Sequence, residues 1–289
     1  MSKKILANKN IAYISYILAL LIFGTNGLLV ANISLETSQI VLMRTLLGGG
    51  LLTILVLFSG GFDREKIKKE KLALIFGGVC LGLNWAMLFA AYRLLNVSLS
   101  TLIYYGGPML VLLFSPLLLK EKLTPRKIIS VIIVAIGLVF ISGSIVKGGM
   151  NSKGLVFAIL SAIFYGALIV FNKQITQTSG LLTAAIELDI AFLVLVIYTS
   201  LTVGFPEISK GDLPYIGIIG FINTGLAYLL YFFGLQKLSG QSVALLSYID
   251  PVSALIFSSL FLQEHMSTLQ ITGSVLIIGG AIFGEIKRK

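Results

Sequence analysis

Long apolar runs separated by short polar connections follow one another along the whole chain. A helix that crosses the hydrocarbon core of a bilayer needs about 20 mostly apolar residues, and ten runs reach this length. They are residues 11–31, 38–58, 72–94, 98–119, 127–146, 153–175, 182–203, 212–235, 241–262 and 268–286. The pattern therefore predicts an all-α integral membrane protein with ten transmembrane helices.

Composition supports the same class. Of the 289 residues, 57% are hydrophobic and only 12% are charged, whereas soluble domains carry about 25% charged residues. The first apolar run is longer than the hydrophobic core of a signal peptide, so we interpret it as the first span. A multi-pass protein of the cell membrane is expected, with the lipid bilayer as its surroundings.

The distribution of basic residues predicts the orientation. Cytoplasmic loops of membrane proteins are enriched in Lys and Arg. With a cytoplasmic N-terminus, 17 of the 22 Lys and Arg residues fall on the cytoplasmic side, 4 fall on the other side, and Arg44 lies within a span. We therefore expect both termini in the cytoplasm. The net charge of +10 is explained by these loops, and nucleic-acid binding is not expected.

The two halves of the sequence resemble each other when one is shifted by 143 residues. The stretch 102–123 aligns with 245–266, and identities continue to residue 140. Identical pairs include Tyr105 with Tyr248, Pro108 with Pro251, Ser115 with Ser258, Glu121 with Glu264 and Gly137 with Gly280. A repeat of five spans, an odd number, must insert its second copy upside down. We predict two inverted repeats, residues 1–147 and 148–289, that form one transport unit as in many secondary transporters.

These features resemble the EamA-type family of the drug/metabolite transporter superfamily. The similarity is carried by the five-plus-five spans, by the Pro and Glu of spans four and nine, and by the segments KEKLTPRKIISVIIVAIGLVFI (120–141) and QEHMSTLQITGSVLIIGGAIF (263–283). The resemblance implies export or uptake of small metabolites, among them amino acids, amines and nucleotide-like compounds.

Asp250 is the candidate for a substrate or coupling site. It lies near the middle of the ninth run, beside Pro251, and its counterpart in the first half is Gly107. A charge at this depth costs about 2.5–3.5 kcal/mol or more, which favours a functional role such as a proton or cation site. A structural ion pair with Arg44 is the alternative.

Arg44 and Glu187 are a second pair of repeat equivalents within spans. Arg44 can bind a carboxylate through two parallel hydrogen bonds. Inversion places Glu187 on the other side of the midplane, so the two are not expected to pair. We consider Asp250, Glu187 and Asp189 as possible proton- or cation-coupling residues.

Other polar and aromatic side chains within spans complete the predicted substrate site. Asn84 and Trp85 lie at the middle of the third run, although Trp prefers the membrane interface. The remaining candidates are Tyr104, Tyr105, Tyr165, Asn223, Tyr228 and Tyr248. Each can equally serve as packing between helices. Glu121 and Glu264 end equivalent spans and are expected to cap neighbouring helices.

The sequence lacks the motifs of ATPases, enzymes and metal-binding proteins, which limits the functions to be considered. It contains no Walker-type phosphate-binding segment, and one His and one Cys do not provide a catalytic or metal constellation. We therefore expect no enzyme activity, metal or cofactor.

The sequence predicts a secondary transporter that is a monomer or homodimer. We expect it to export a small polar metabolite, most simply an amino acid or related compound, by alternating access and with possible proton coupling. The alternatives are a transporter of an amine, quaternary ammonium compound or drug-like cation, and a passive channel or non-catalytic membrane protein.

Overall fold

The computed structural model describes residues 3–95, 97–142, 151–262 and 266–285, and every regular element within these ranges is helical. The helices are α1 Lys3–Gly24, α2 Asn26–Val30, α3 Thr37–Phe58, α4 Arg64–Leu94, α5 Val97–Tyr104, α6 Gly106–Leu118, α7 Pro125–Ser142, α8 Ser152–Asn172, α9 Gly180–Thr202, α10 Leu213–Gly220, α11 Ala227–Lys237, α12 Gly240–Leu246, α13 Ile249–Phe261 and α14 Thr268–Glu285. A π-helical turn, Phe221–Leu226, joins α10 to α11.

Nine helical stretches in the described ranges are long and apolar enough to cross a membrane. They correspond to nine of the predicted apolar runs. The predicted run 127–146 coincides with α7 as far as residue 142, and its last residues lie outside the described part of the chain. The count of ten spans and the orientation of the termini stay predictions.

The helices recur with the same spacing as the sequence repeat. A shift of 143 residues places α3 on α9, the pair α5 and α6 on the pair α12 and α13, and α7 on α14. The packing recurs as well, with an exchange of halves: α8 packs on α4 and α6, whereas its counterpart α1 packs on α11 and α13. The exchange shows that each half completes its packing with helices of the other half.

The fourth and ninth spans, which are equivalent in the repeat, are both broken helices. The break between α5 and α6 falls at Tyr105, and that between α12 and α13 falls at Ser247 and Tyr248. Pro108 and Pro251 each occupy the third position of the second segment. Proline has no N–H and clashes with the carbonyl four residues earlier, so the preceding helix ends there. The break places Asp250 in the first turn of α13.

Glu121 caps a helix of the other half. Its carboxylate accepts hydrogen bonds from the backbone N–H groups of Gly240 at 2.7 Å and Gln241 at 3.0 Å, which begin α12. An acidic side chain at a helix N-terminus satisfies free N–H groups and interacts favourably with the helix dipole. The predicted equivalent, Glu264, lies outside the described residues.

Candidate functional site

A cavity of about 450 Å³ lies between α1, α2, α3, α4, α5, α8, α11 and α13. Its lining residues at the ends of these helices include the exposed Gly27 and Val97. Most of the residues predicted from the sequence converge on this cavity, namely Arg44, Asn84, Trp85, Tyr104, Tyr105, Tyr165, Tyr228 and Asp250. Side chains from both halves of the repeat therefore contribute to one site.

Asp250 lies on the cavity wall and is held by the first half of the chain. The Tyr105 hydroxyl donates a hydrogen bond to Oδ2 of Asp250 at 3.0 Å. Within the described ranges no basic side chain lies within 4.0 Å of this carboxylate. The alternative of a direct structural ion pair with Arg44 is therefore not seen in this conformation. The cavity wall therefore presents one acid that has a hydroxyl partner and, among the described residues, no ion-pair partner.

Arg44 is buried, with 8% of its surface exposed, and is positioned by the π-helical turn. Its Nε donates to Oγ1 of Thr224 at 2.8 Å, and one terminal nitrogen lies 3.5 Å from the carbonyl oxygen of Asn223. Gly48 permits this approach, since a Cβ there would lie 2.6 Å from Cγ2 of Thr224. The guanidinium also faces the Trp85 ring at 5.6 Å, within the range of a cation–π interaction.

Aromatic rings form much of the remaining wall. Tyr104 and Tyr165 are stacked, with ring centroids 4.9 Å apart and an angle of 8° between planes. Trp85 meets Tyr228 edge to face at 5.7 Å. Such rings offer apolar surface together with hydroxyl groups, the combination typical of small-molecule pockets.

Asn84 lines the cavity and also joins two helices. Its side-chain amide donates to the carbonyl oxygen and the hydroxyl of Ser161 at 2.8 and 3.1 Å, and the Ser161 hydroxyl donates back to the Asn84 carbonyl oxygen at 2.9 Å. These bonds connect α4 to α8. Asn84 therefore has a structural role in addition to its place on the wall.

The other predicted residues lie outside the cavity lining. Asn223 donates to the carbonyl oxygen of Ile22 at 2.9 Å, so it holds the end of α1. The hydroxyl of the buried Tyr248 donates to the Tyr105 carbonyl oxygen at 2.9 Å and stabilises the helix break. Both side chains support the wall instead of forming it.

The two acids of α9 lie outside the cavity, each with its own hydrogen-bond partner. Glu187 is fully buried and accepts hydrogen bonds from Nδ2 of Asn172 at 2.9 and 3.0 Å. Asp189 accepts one from Thr53 at 2.6 Å. Neither residue lines the 450 Å³ cavity. Within the described ranges no cluster of His, Cys, Asp and Glu has the arrangement of a metal site.

Several cavity residues were missed from the sequence. Tyr92, Thr101 and Tyr231 belong to the wall, and the hydroxyls of Tyr92 and Thr101 lie 3.0 Å apart. Helical periodicity contained the signal, since Tyr231 lies three residues after Tyr228 and Tyr92 lies seven after Trp85, each on the same helix face.

Two segments of the chain, residues 10–143 and 152–284, match the model of the EamA-like transporter family. The chain belongs to the EamA-like transporter family. It is therefore a multi-pass protein of the cell membrane and a membrane transporter of the drug/metabolite type, with a small molecule as its substrate.

Two of the three relatives described next carry transporter names. An uncharacterized transporter of Bacillus subtilis, YxxF, is 27% identical over 97% of this chain and 91% of its own length. Protein PecM of Dickeya dadantii is 29% identical over 72% of this chain and 71% of its own. The riboflavin transporter ImpX of Fusobacterium nucleatum is 25% identical over 78% of this chain and 82% of its own.

A solved crystal structure has the same fold. It matches with a TM-score of 0.81 over 96% of this chain and 97% of its own length, at 18% sequence identity. The similarity extends over both halves of the chain, and at this identity it concerns the fold alone.

Proposed function

We propose that this EamA-like protein is a secondary transporter that exports a small zwitterionic metabolite, an amino acid or a close relative, by alternating access. The observation that carries the proposal is that Arg44 and Asp250 line one cavity without forming an ion pair with each other. A cavity that holds one charge of each sign, both available, is complementary to a ligand that carries both.

Arg44 is suited to the carboxylate of such a ligand. Thr224 engages its Nε at 2.8 Å and one terminal nitrogen lies 3.5 Å from the Asn223 carbonyl oxygen, which together fix the side chain at the cavity wall. Charge-assisted hydrogen bonds of this kind are about twice as strong as neutral ones. Because the residue is buried, a bound carboxylate would also neutralise a charge that is costly at this depth.

Asp250 is suited to the ammonium group. Its Oδ2 accepts from Tyr105, which leaves Oδ1 for a ligand. The rings of Trp85, Tyr104 and Tyr165 would enclose the rest of the molecule. The cavity volume of about 450 Å³ falls within the range of about 300–1,000 Å³ that small-ligand pockets occupy.

Alternating access is supported by the exchanged packing of the two halves. Two similar halves give two arrangements of similar energy, between which a ligand can shift the population. The described cavity reaches the end of the bundle that contains Gly27 and Val97. At the opposite end Glu121 holds α12, and Lys173 donates to the carbonyls of Leu235 and Leu238 at the end of α11. With the predicted orientation, this conformation opens outward.

An amine or quaternary ammonium compound is the second candidate. Asp250 and the surrounding aromatic rings favour it, because cations bind over the faces of such rings. The buried charge of Arg44 disfavours it, since a ligand with only a positive charge would leave that charge unneutralised and repel it. The two candidates therefore differ in what they require of Arg44.

Binding can be read directly from Trp85, because it is the only tryptophan of the sequence and it lines the cavity. Purified protein is titrated with a panel of amino acids, and the best ligand is compared with its methyl ester and its N-acetyl derivative. The zwitterion is expected to bind most tightly. Arg44→Gln and Asp250→Asn should each weaken binding by roughly 10- to 150-fold, the value of a hydrogen bond to a charged group.

Matched controls separate the site from general charge effects. Arg93→Gln removes a cation on the exposed end of α4, and Asp189→Asn removes an acid that lies outside the cavity. Both should leave binding unchanged. Arg44→Gln should strengthen binding of the ester, which lacks the carboxylate. Unchanged affinity of the zwitterion in both Arg44→Gln and Asp250→Asn would refute the proposal, and an ester that binds more tightly than the zwitterion would favour the amine.

Counterflow in proteoliposomes tests the mode of transport. A carrier shows saturation and acceleration by substrate on the opposite side, and their absence together with rapid flux would indicate a channel. An imposed pH gradient tests coupling in the wild type and in Asp250→Asn, Glu187→Gln and Asp189→Asn. The variant that transports but no longer responds to the gradient identifies the residue that carries the proton.

A further inference from the structure

A second cavity, of about 950 Å³, lies at the end of the bundle opposite Gly27 and Val97. It is bordered by the first part of α1, the beginnings of α7 and α12, and the end of α14. The apolar spans begin at Lys9 and end at Glu285 here, so the cavity lies at the level of the membrane interface. It is separate from the substrate cavity and shares no lining residue with it.

Basic side chains dominate this second cavity. Lys9, Lys122, Arg126 and Lys127 line it, against the single acid Glu285. Oε2 of Glu285 already accepts hydrogen bonds from Tyr13 at 2.8 Å and Ser242 at 2.9 Å. Within the described ranges no ion pair joins Glu285 to any of the four cations. The described part of the chain therefore leaves this cavity with an excess of positive charge that no ion pair neutralises.

Arg126 is oriented for an anion. Its Nε donates to the carbonyl oxygen of Phe283 at 2.6 Å, and its guanidinium lies over the Phe283 ring at 4.6 Å. These two contacts fix the planar group and leave its terminal nitrogens for a ligand. A fixed guanidinium matches two oxygens of a phosphate group, which a flexible ammonium does not. The exposed Lys122 has no side-chain partner among the described residues and adds a second, mobile cation.

The rim of the cavity is apolar and faces outward. Ile129 of α7 is 49% exposed and Phe283 of α14 is 37% exposed, and both belong to the lining. Beyond them the outward face of α7 continues with Ile132, which is 54% exposed. In a membrane protein such surfaces contact acyl chains. A ligand that fits both the cations and the rim has a phosphate joined to hydrocarbon.

We propose that this cavity binds the headgroup of an anionic phospholipid, with the phosphate on Arg126 and Lys122 and the acyl chains along Ile129 and Ile132. Basic pockets between transmembrane helices on the cytoplasmic side are suited to anionic headgroups. Because the cavity is bordered by α1, α7, α12 and α14, a headgroup that fills it would stabilise the packing of these helices at this end of the bundle.

The test is lipid binding to delipidated, detergent-purified protein, measured by native mass spectrometry and by thermal shift. Phosphatidylglycerol and phosphatidylcholine with the same acyl chains are compared, together with inorganic phosphate and glycerol phosphate. Phosphatidylglycerol is expected to bind more tightly and to raise Tm. The double variant Lys122→Gln and Arg126→Gln should weaken its binding by about 30-fold, as expected for the loss of two basic side chains near an anionic lipid.

Two further variants keep the result interpretable. Lys68→Gln with Lys69→Gln makes the same change in net charge on exposed positions of α4 and should leave lipid binding unchanged. Lys122→Gln alone removes an exposed side chain, should not affect folding, and should weaken binding by about 5-fold. The proposal is overturned by equal binding of the two lipids, by equal losses in the α4 control, or by glycerol phosphate that binds as tightly as the lipid, which would indicate a site for a free anion.

Discussion

Replacing Gly107 by alanine should destabilise the protein because it obstructs the contact between α6 and α8. A Cβ at this position would lie 2.6 Å from the carbonyl oxygen of Ala162 and 3.1 Å from Cβ of Tyr165. The first atom belongs to the backbone and cannot rotate away, so the two helices must separate. Overpacking costs about 1–3 kcal/mol, and a backbone obstacle points to the upper part of this range.

The helix propensity of alanine reduces the effect. Alanine is better than glycine within a helix by about 1 kcal/mol, so the net loss is about 1–2 kcal/mol. For a large domain 1 kcal/mol corresponds to roughly 2–4 °C in Tm. Gly107→Ala should therefore lower Tm by about 2–8 °C in thermal unfolding measured in one detergent at one scan rate.

The neighbouring residue is the matched control. A Cβ at Gly106 meets no heavy atom within 4 Å, so Gly106→Ala should leave Tm unchanged or raise it slightly. Because Tyr165 lines the 450 Å³ cavity proposed to bind the substrate, Gly107→Ala should also weaken ligand binding reported by Trp85. If the two alanine variants unfold at the same temperature, the reasoning from this contact is wrong.

Three further predictions concern acidic residues. Glu121→Gln should lower Tm by about 2–8 °C, because it replaces a charged acceptor at the start of α12 at a cost of about 1–2 kcal/mol. The pKa of Asp212, which precedes α10, is lowered from 3.8 to about 2 by hydrogen bonds from the backbone and side chain of Ser34. A lowered pKa stabilises the fold above the ordinary value, so Tm should fall as the pH decreases from about 4 towards 2. Glu187→Gln should leave Tm within about 1 °C, since glutamine keeps an acceptor for Asn172 and the carboxylate has no cation partner among the described residues.

Each of these has its own control. Glu207, which is exposed, is the control for Glu121. If Glu207→Gln lowered Tm by the same amount, the effect of Glu121→Gln could not be attributed to the cap of α12. Asp212→Asn should flatten the acid-induced fall in Tm, and an unchanged pH profile would show that other groups cause it. A large loss of stability in Glu187→Gln would mean that its charge is paired in the folded protein.

The lengths of the apolar runs predicted the ends of the helices well where capping residues lie at the ends of a run. The predicted stretch 38–58 became Thr37–Phe58, and 268–286 became Thr268–Glu285 within the described range. The sequence did not reveal the π-helical turn Phe221–Leu226, because its residues are as apolar as a regular helix. That turn positions Thr224 against Arg44, so the hydrogen bond that holds the Arg44 side chain was not predictable from periodicity.

The same limit applies to the repeat-equivalent pair Arg44 and Glu187. Their equivalence in the sequence does not give them equivalent surroundings: Arg44 reaches the cavity and Thr224, whereas Glu187 packs over Gly77 and binds Asn172. Which face of a span meets the cavity depends on how the two halves pack together. From a single sequence, the face of a helix that meets the cavity can be predicted only where several polar or aromatic residues lie on that face. Trp85 and Tyr92 of α4 are such a case.

The steric surroundings of Gly107 explain why only one repeat carries an acid at this position. Position 107 packs against the carbonyl oxygen of Ala162, while the equivalent Asp250 projects into the cavity and meets Tyr105 from the first half. Asp250→Gly should therefore yield folded protein without ligand binding, whereas Gly107→Asp should fail to fold, alone or combined with Asp250→Gly. Size-exclusion profiles and Trp85 titrations measure both properties. If the variant with the acid at position 107 instead of 250 folded and bound ligand, the two equivalent positions would be interchangeable. The steric surroundings of Gly107 would then not explain why only the second repeat carries the acid.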